Sequence, residues 1–176
     1  MNIKAMNMFL SEENIKRHLE HLRTQKLRLS ILEKSEPNLK GKEMNEISRL
    51  SINREIREEA LYLMWYIKSH ECFFKSFCQV QLKSERVLKY FSSREKFLYD
   101  LSCQAKELDH GFLYIFLDKR GAPRTDFATN PSGVFMKYTP ILALDLYEHT
   151  YFSDYGFMKE KFLSNALTYL DVGKLK

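Results

Sequence analysis

Asp145 and His149 stand four residues apart in Asp145-Leu146-Tyr147-Glu148-His149, directly behind the apolar run Pro140-Ile141-Leu142-Ala143-Leu144. A carboxylate oxygen and an imidazole nitrogen delivered together at a strand end suit an Fe, Mn, Zn or Ni ion, because hard and borderline donors are both on offer. The same couple also serves as a hydrogen-bonded structural pair, and two residues alone do not separate these uses.

The elements that would position further donors are legible upstream. Ser11 is a predicted N-cap, with Glu12 and Glu13 placed to meet the positive end of a helix running to about Glu33. Ile15, His18, Leu19, Leu22, Lys26 and Leu29 recur at helical spacing, which predicts that His18 faces inward. Residues 35–52, with Pro37 and Gly41, read as a loop holding a short helix. A second long helix is predicted from Asn53 to Cys78, where Ile56, Ala60, Leu63, Ile67, His70, Phe74 and Phe77 form a narrow seam suited to an antiparallel hairpin. A lone histidine on such a face is by itself an ordinary core residue.

Beyond the hairpin the pattern changes. Residues 79–110 read as two more helices, one over Ser84–Phe91 and the next starting at Ser92-Ser93. His110–Leu117 is a β-rich apolar run, Asp118–Gly121 a turn, Thr125–Ala128 a second strand and Asn130–Gly133 another turn. Pro140–Leu144 is a third strand that delivers Asp145, and the tail over 157–170 reads as helix.

Composition limits the rest. The chain has 176 residues, 44% hydrophobic and 14% aromatic, enough for a packed core in one domain or two small lobes. Its 28 basic and 23 acidic residues leave a net charge of +5, which favours an anionic partner or substrate. No dense Lys/Arg block is present, so nucleic-acid binding is the weaker expectation. Cys72, Cys78 and Cys103 are odd in number and lack CxxC spacing, as expected of reduced thiols in a cytoplasmic protein, each read as a small buried apolar side chain. The first nine residues are too short and polar for a secretory segment. No run reaches the roughly 18 apolar residues of a membrane span.

The stretch D-L-Y-E-H-T-Y-F-S-D-Y at 145–155 closely resembles the D-x-W-E-H-A-Y-Y-x-D-Y signature of the iron/manganese superoxide dismutases. Upstream, L-S-E-E-N-I-K-R-H resembles that family's I-S-x-x-T-x-x-x-H, ending on His18, and S-H-E-C-F-F resembles its N-H-x-F-Y-W, around His70. H-G-F-L-Y-I-F-L at 110–117 is similar to its G-S-G-W-x-W-L strand, with the tryptophans lost. The likeness runs from about residue 9 to 175, with no counterpart of the arm that family members carry ahead of the first helix.

The resemblance implies an α+β fold, an N-terminal antiparallel helical hairpin (1–80) followed by a lobe of helices around a three-stranded antiparallel sheet (81–176). It implies one Fe or Mn ion per chain, held by His18, His70, Asp145 and His149, and dismutation of superoxide to O2 and hydrogen peroxide. A homodimer through Glu148, Tyr151 and Phe152 follows from the same likeness. His21 stands where the family usually has a lysine and is read as a surface residue.

The surroundings of the four ligands depart from the family. Its gateway tyrosine is Lys26 here, the partner histidine is Leu22, and the tyrosine that this histidine meets across the dimer is Phe152. Tyr66 takes the iron-type glutamine position, Asn130 is the nearest amide to the manganese-type one, and Tyr147 replaces a tryptophan. Lys26 and Tyr66 are therefore the candidate catalytic residues beside the metal. These changes keep open a metal-binding relative with weak or no dismutase activity, serving another redox role or as a structural subunit of a larger assembly.

Overall fold

A single helical turn, α1 (Ile3–Met6), opens the chain and buries Ala5 and Met6, an element its sequence does not announce. Ser11 then takes an extended backbone and its hydroxyl accepts from the Asn14 amide at 3.2 Å, so the first long helix, α2 (Glu12–Ser35), begins where the N-cap predicts. A 3-10 turn (Pro37–Leu39) and a short helix, α3 (Met44–Ile47), occupy the expected loop. The second long helix, α4 (Arg54–Lys75), is capped by Asn53 and ends short of the predicted Cys78. Past it, Phe77 pairs with Leu170 as a β-bridge, and the Cys78 amide donates to the Tyr169 carbonyl at 2.9 Å. This computed structural model describes residues 2–130 and 134–176.

The two helices of the hairpin bury different amounts of themselves, for a geometric reason. In α2 the buried residues are Asn14, Ile15, His18, Leu22 and Gln25. Lys26, expected on this face, is exposed. At about 100° per residue, Gln25 lies roughly 20° from His18 around the helix, whereas Lys26 is turned away by roughly 80°. In α4 burial extends past the predicted seam to Trp65, Tyr66 and Phe73, because α4 is packed between α2 on one side and the sheet on the other.

Two further helices, α5 (Glu85–Phe91) and α6 (Arg94–Lys106), are each started by a serine whose hydroxyl accepts from a backbone amide three residues on. The antiparallel sheet follows: β1 (Phe112–Leu117), β2 (Pro123–Ala128) and β3 (Leu142–Asp145), in spatial order β2-β1-β3. The β1–β2 turn is closed by Asp118, whose carboxylate accepts from the amides of Arg120 and Ala122 at 2.8 and 2.9 Å. Strand β1 is central and covered on both faces, so it reads FLYIFL without polar alternation.

Helix α7 (Val134–Lys137) leads towards β3, and of the predicted turn at Asn130–Gly133 the last three residues lie outside the described ones. Helices α8 (Glu148–Tyr155) and α9 (Lys159–Thr168) complete the C-terminal part. The fold is α+β, with nine helices and one three-stranded antiparallel sheet among the described residues. One apolar cluster runs from Phe9 and Ile15 through Phe73 and Phe74 to Phe112, Leu144 and Phe162, so the hairpin and the sheet share a core. Cys72 and Cys78 are half-buried and Cys103 is exposed, so the expectation of three buried thiols fails at Cys103.

Candidate metal centre

Four side chains from four elements converge where α2, α4 and the end of β3 meet. His18 comes from α2, His70 from α4, Asp145 from the last position of β3 and His149 from the first turn of α8. Asp145 is fixed by the register, since it pairs with Phe112 across β1, and the next residue, Leu146, donates its amide to the Gly111 carbonyl at 2.8 Å. The chain then turns into α8, and four residues bring His149 back over the carboxylate.

The geometry centres on one oxygen. Asp145 Oδ2 lies 3.3 Å from His18 Nε2, 3.4 Å from His70 Nε2 and 3.6 Å from His149 Nε2. One ligand atom from each residue falls within 4.8 Å of all the others. Bonds of about 2.1 Å to nitrogen or oxygen donors place neighbouring ligand atoms roughly 3.0–3.6 Å apart at angles of about 90–120°, which is the spacing seen around Asp145. The buried polar atoms agree: His18 Nε2, His70 Nε2 and Asp145 Oδ2 have no hydrogen-bond partner in the protein. Buried donors and acceptors without partners are costly, and a cation held among these atoms removes that cost. Three imidazoles and one carboxylate fit Fe or Mn.

Backbone contacts fix how the ligands present themselves. His70 Nδ1 lies 2.9 Å from the Tyr66 carbonyl, which can only accept, so Nδ1 carries the proton and the Nε2 lone pair is turned to the cluster. Asp145 uses its other oxygen, Oδ1, to accept from the Tyr147 amide at 3.0 Å. Burial pushes the His70 pKa down to about 3, the Asp145 charge opposing it only in part. For Asp145 burial favours the neutral acid, but the imidazoles of His149, His18 and His70 converging on its oxygen outweigh it and hold the carboxyl well below its usual range. Burial disfavours a charged His149, and the adjacent Asp145 carboxylate more than offsets this, so its pKa is raised.

The remaining predicted residues are placed unequally. Tyr66 joins the cluster: its ring stacks on His70 at 4.0 Å and its hydroxyl is buried without a partner. Burial, then the nearby Asp145 charge, raises its pKa far above that of a free phenol, so it stays protonated. Lys26 is not in the cluster; its Nζ pairs with Glu71 Oε1 at 2.5 Å on the surface of the hairpin. Glu148 and Phe152 are exposed, whereas the Tyr151 ring is buried against Phe162 at 5.1 Å.

Two residues stand at the rim that the sequence reading did not place there. His21 is exposed overall, as expected, yet its ring lies 5.4 Å from that of Tyr66 and 5.9 Å from that of His149. Gln25, buried, lies 3.2 Å from His21 Nε2. Their one sequence signal is spacing: Gln25 follows His21 by four residues and His18 by seven, so all three share a helix face.

Residues 78–175 match the family model described as iron/manganese superoxide dismutases, C-terminal domain. The chain belongs to this superoxide dismutase family. The match takes in Asp145 and His149, and the family brings with it an Fe or Mn centre. His18 and His70 lie ahead of the matched segment, and it is the structure that carries them to Asp145. A comparison with curated proteins gives no match.

Proposed function

We propose that the protein is a superoxide dismutase of the iron/manganese type, with one metal ion per chain held by His18, His70, Asp145 and His149. The observation that carries this reading is the set of three Nε2 atoms at 3.3–3.6 Å around one buried carboxylate oxygen, in a chain of this family. When bound, Fe or Mn supplies one-electron chemistry between its +2 and +3 states, by which one superoxide is oxidised to O2 and a second, taking up two protons, is reduced to hydrogen peroxide.

The chain's own residues would do the rest. Three neutral imidazoles and one carboxylate leave a cationic centre, which suits an anionic substrate, and the net charge of +5 favours its approach. Tyr66 is the donor best placed beside the cluster, because its hydroxyl is protonated, buried and without an acceptor in the protein. It can therefore offer a hydrogen bond to a small oxygen anion held there. Lys26 adds a surface cation, weakened for attracting superoxide by its pairing with Glu71.

The reading extends to a homodimer in which Glu148 and Phe152 face the partner and Tyr151 backs the contact from the core. It is supported by the exposed aromatic pair Phe152, on α8, and Phe157, just past its end, with rings 5.2 Å apart. A division near residue 80 into hairpin and C-terminal domain is supported by the start of the family match at Cys78. Three free cysteines suit a reducing, cytoplasmic setting, and among the described residues no helix is long and apolar enough to cross a membrane.

The replacement of the family's relay positions by Leu22 and Lys26 favours a second reading, a metal protein that does not dismutate. Pulse or stopped-flow decay of superoxide on metal-loaded protein decides between them. Dismutation that vanishes on chelation and in His149→Ala supports the first. Metal-loaded protein no faster than buffer selects the second.

A further inference from the structure

We infer that His21, held in place by Gln25, is a positioning residue that closes the open side of the cluster by packing its ring on His149 and Tyr66. The inference deepens the metal-binding reading and rests on it.

His149 is the weak point of the cluster. The His18, His70 and Asp145 side chains are at most 1% exposed, whereas that of His149 is 40% exposed. It also sits in the first turn of an eight-residue helix, where it meets the Asp145 carboxylate and the rings of His18 and His70 on its inner side. A ligand that must be ordered on binding lowers affinity by the rotamer freedom it gives up.

His21 meets that need from a different element. Its ring is nearly parallel to that of His149, at 12° and 5.9 Å, and contacts the Tyr66 ring at 34° and 5.4 Å. One side chain of α2 thus bridges a ligand on α8 and the residue that stacks on the α4 ligand. Tyr147 and His70 also lie nearly parallel to His149, at 5.6 Å and 23° and at 5.8 Å and 19°.

The orientation of His21 is itself fixed. Arg28 can only donate, so Gln25 Oε1 accepts from Arg28 Nη1 at 3.2 Å and the amide nitrogen must face His21. Gln25 Nε2 then donates to His21 Nε2 at 3.2 Å. Arg28 in turn pairs with Glu59 of α4 at 3.0 Å. A line of polar contacts therefore runs Glu59–Arg28–Gln25–His21 and ties both helices of the hairpin to the rim. Because His21 Nε2 is occupied as an acceptor from Gln25, the imidazole acts here through its face.

The test compares full-length parent protein with His21→Ala, His21→Phe and Gln25→Leu, each loaded with Mn(II), by the rate of metal release to excess chelator. Removing the ring should speed release about tenfold, the lower end of the usual effect of contacts that orient ligands. Phenylalanine, which keeps a flat ring, should restore most of the parent rate, and Gln25→Leu should fall between. Parent-like release from His21→Ala overturns the inference, and so does equal acceleration by Ala and Phe. A second readout needs no metal: the ring-proton resonances of His149 in the metal-free chain should move in His21→Ala. Resonances that stay in place overturn the inference. If instead they move while no form of the protein takes up metal, the packing role stands and it is the metal-binding reading that fails.

Discussion

His70 is bound twice to Tyr66, one helical turn earlier: its Nδ1 donates to the Tyr66 carbonyl at 2.9 Å, and the two rings stack at 4.0 Å. Of Tyr66 only the hydroxyl is unused, buried and without a partner. Tyr66→Phe keeps the stack and the carbonyl and removes that one group. Losing an unsatisfied buried hydroxyl should stabilise the metal-free chain by about 1 kcal/mol, read from urea denaturation. Metal content should be unchanged while dismutation falls about tenfold. Full activity in this variant would remove Tyr66 from the chemistry.

Gly111 supports the site through its backbone. Its φ is +121°, and a Cβ there would meet the Ala128 carbonyl oxygen at 2.6 Å and the Phe127 ring at 2.7 Å. The same residue accepts from the Leu146 amide, next to Asp145. Gly111→Ala should therefore destabilise the protein by about 2 kcal/mol or more, from strain and overpacking together. It should also weaken metal retention, because β1 must shift to relieve the clash. An unchanged denaturation midpoint would contradict this.

Asp154 ties the two ends of the site region together. Its Oδ2 accepts from the Ser11 amide at 2.8 Å and from Asn14 Nδ2 at 2.9 Å, joining α8 to the start of the helix that carries His18. Burial alone would raise its pKa, but the hydrogen bonds from Ser11 and Asn14 prevail and lower it. A carboxylate with a depressed folded pKa stabilises above its unfolded value, near 4, and that contribution is lost as pH falls through the folded value. Asp154→Asn should thus cost about 0.5–1 kcal/mol at pH 7, discounted for solvent exposure, and the gap to the parent should narrow below about pH 4. A gap independent of pH would show that charge is not what Asp154 contributes.

Much of this was legible in the chain itself. Ser11 and Asn53 are side-chain caps whose chemistry is local, so both long helices begin where the sequence places them. The β1 run is continuous because the strand is covered on both faces, and the Asp118 turn is closed by its own side chain. The four donors were legible through short motifs around His18, His70, Asp145 and His149. Lys26 was misplaced because eight residues exceed two helical turns by a part-turn that carries it off the buried face. His21 was read only as a surface residue, and Gln25 was missed, because their value lies in contacts with Tyr66 and His149, 45 and 128 residues on from His21, which helical periodicity does not encode. Helix α1 is a single turn, too short for a periodic pattern.

The claim that His18, His70, Asp145 and His149 together hold one redox metal is tested most directly by elemental analysis of the purified protein beside Asp145→Ala and His149→Ala. The parent is predicted to carry about one Fe or Mn per chain, as expected of four converging ligands. Both variants should lose it while keeping the parent's circular dichroism. Undiminished Fe or Mn in folded Asp145→Ala, the residue on which all three imidazoles converge, would contradict the site.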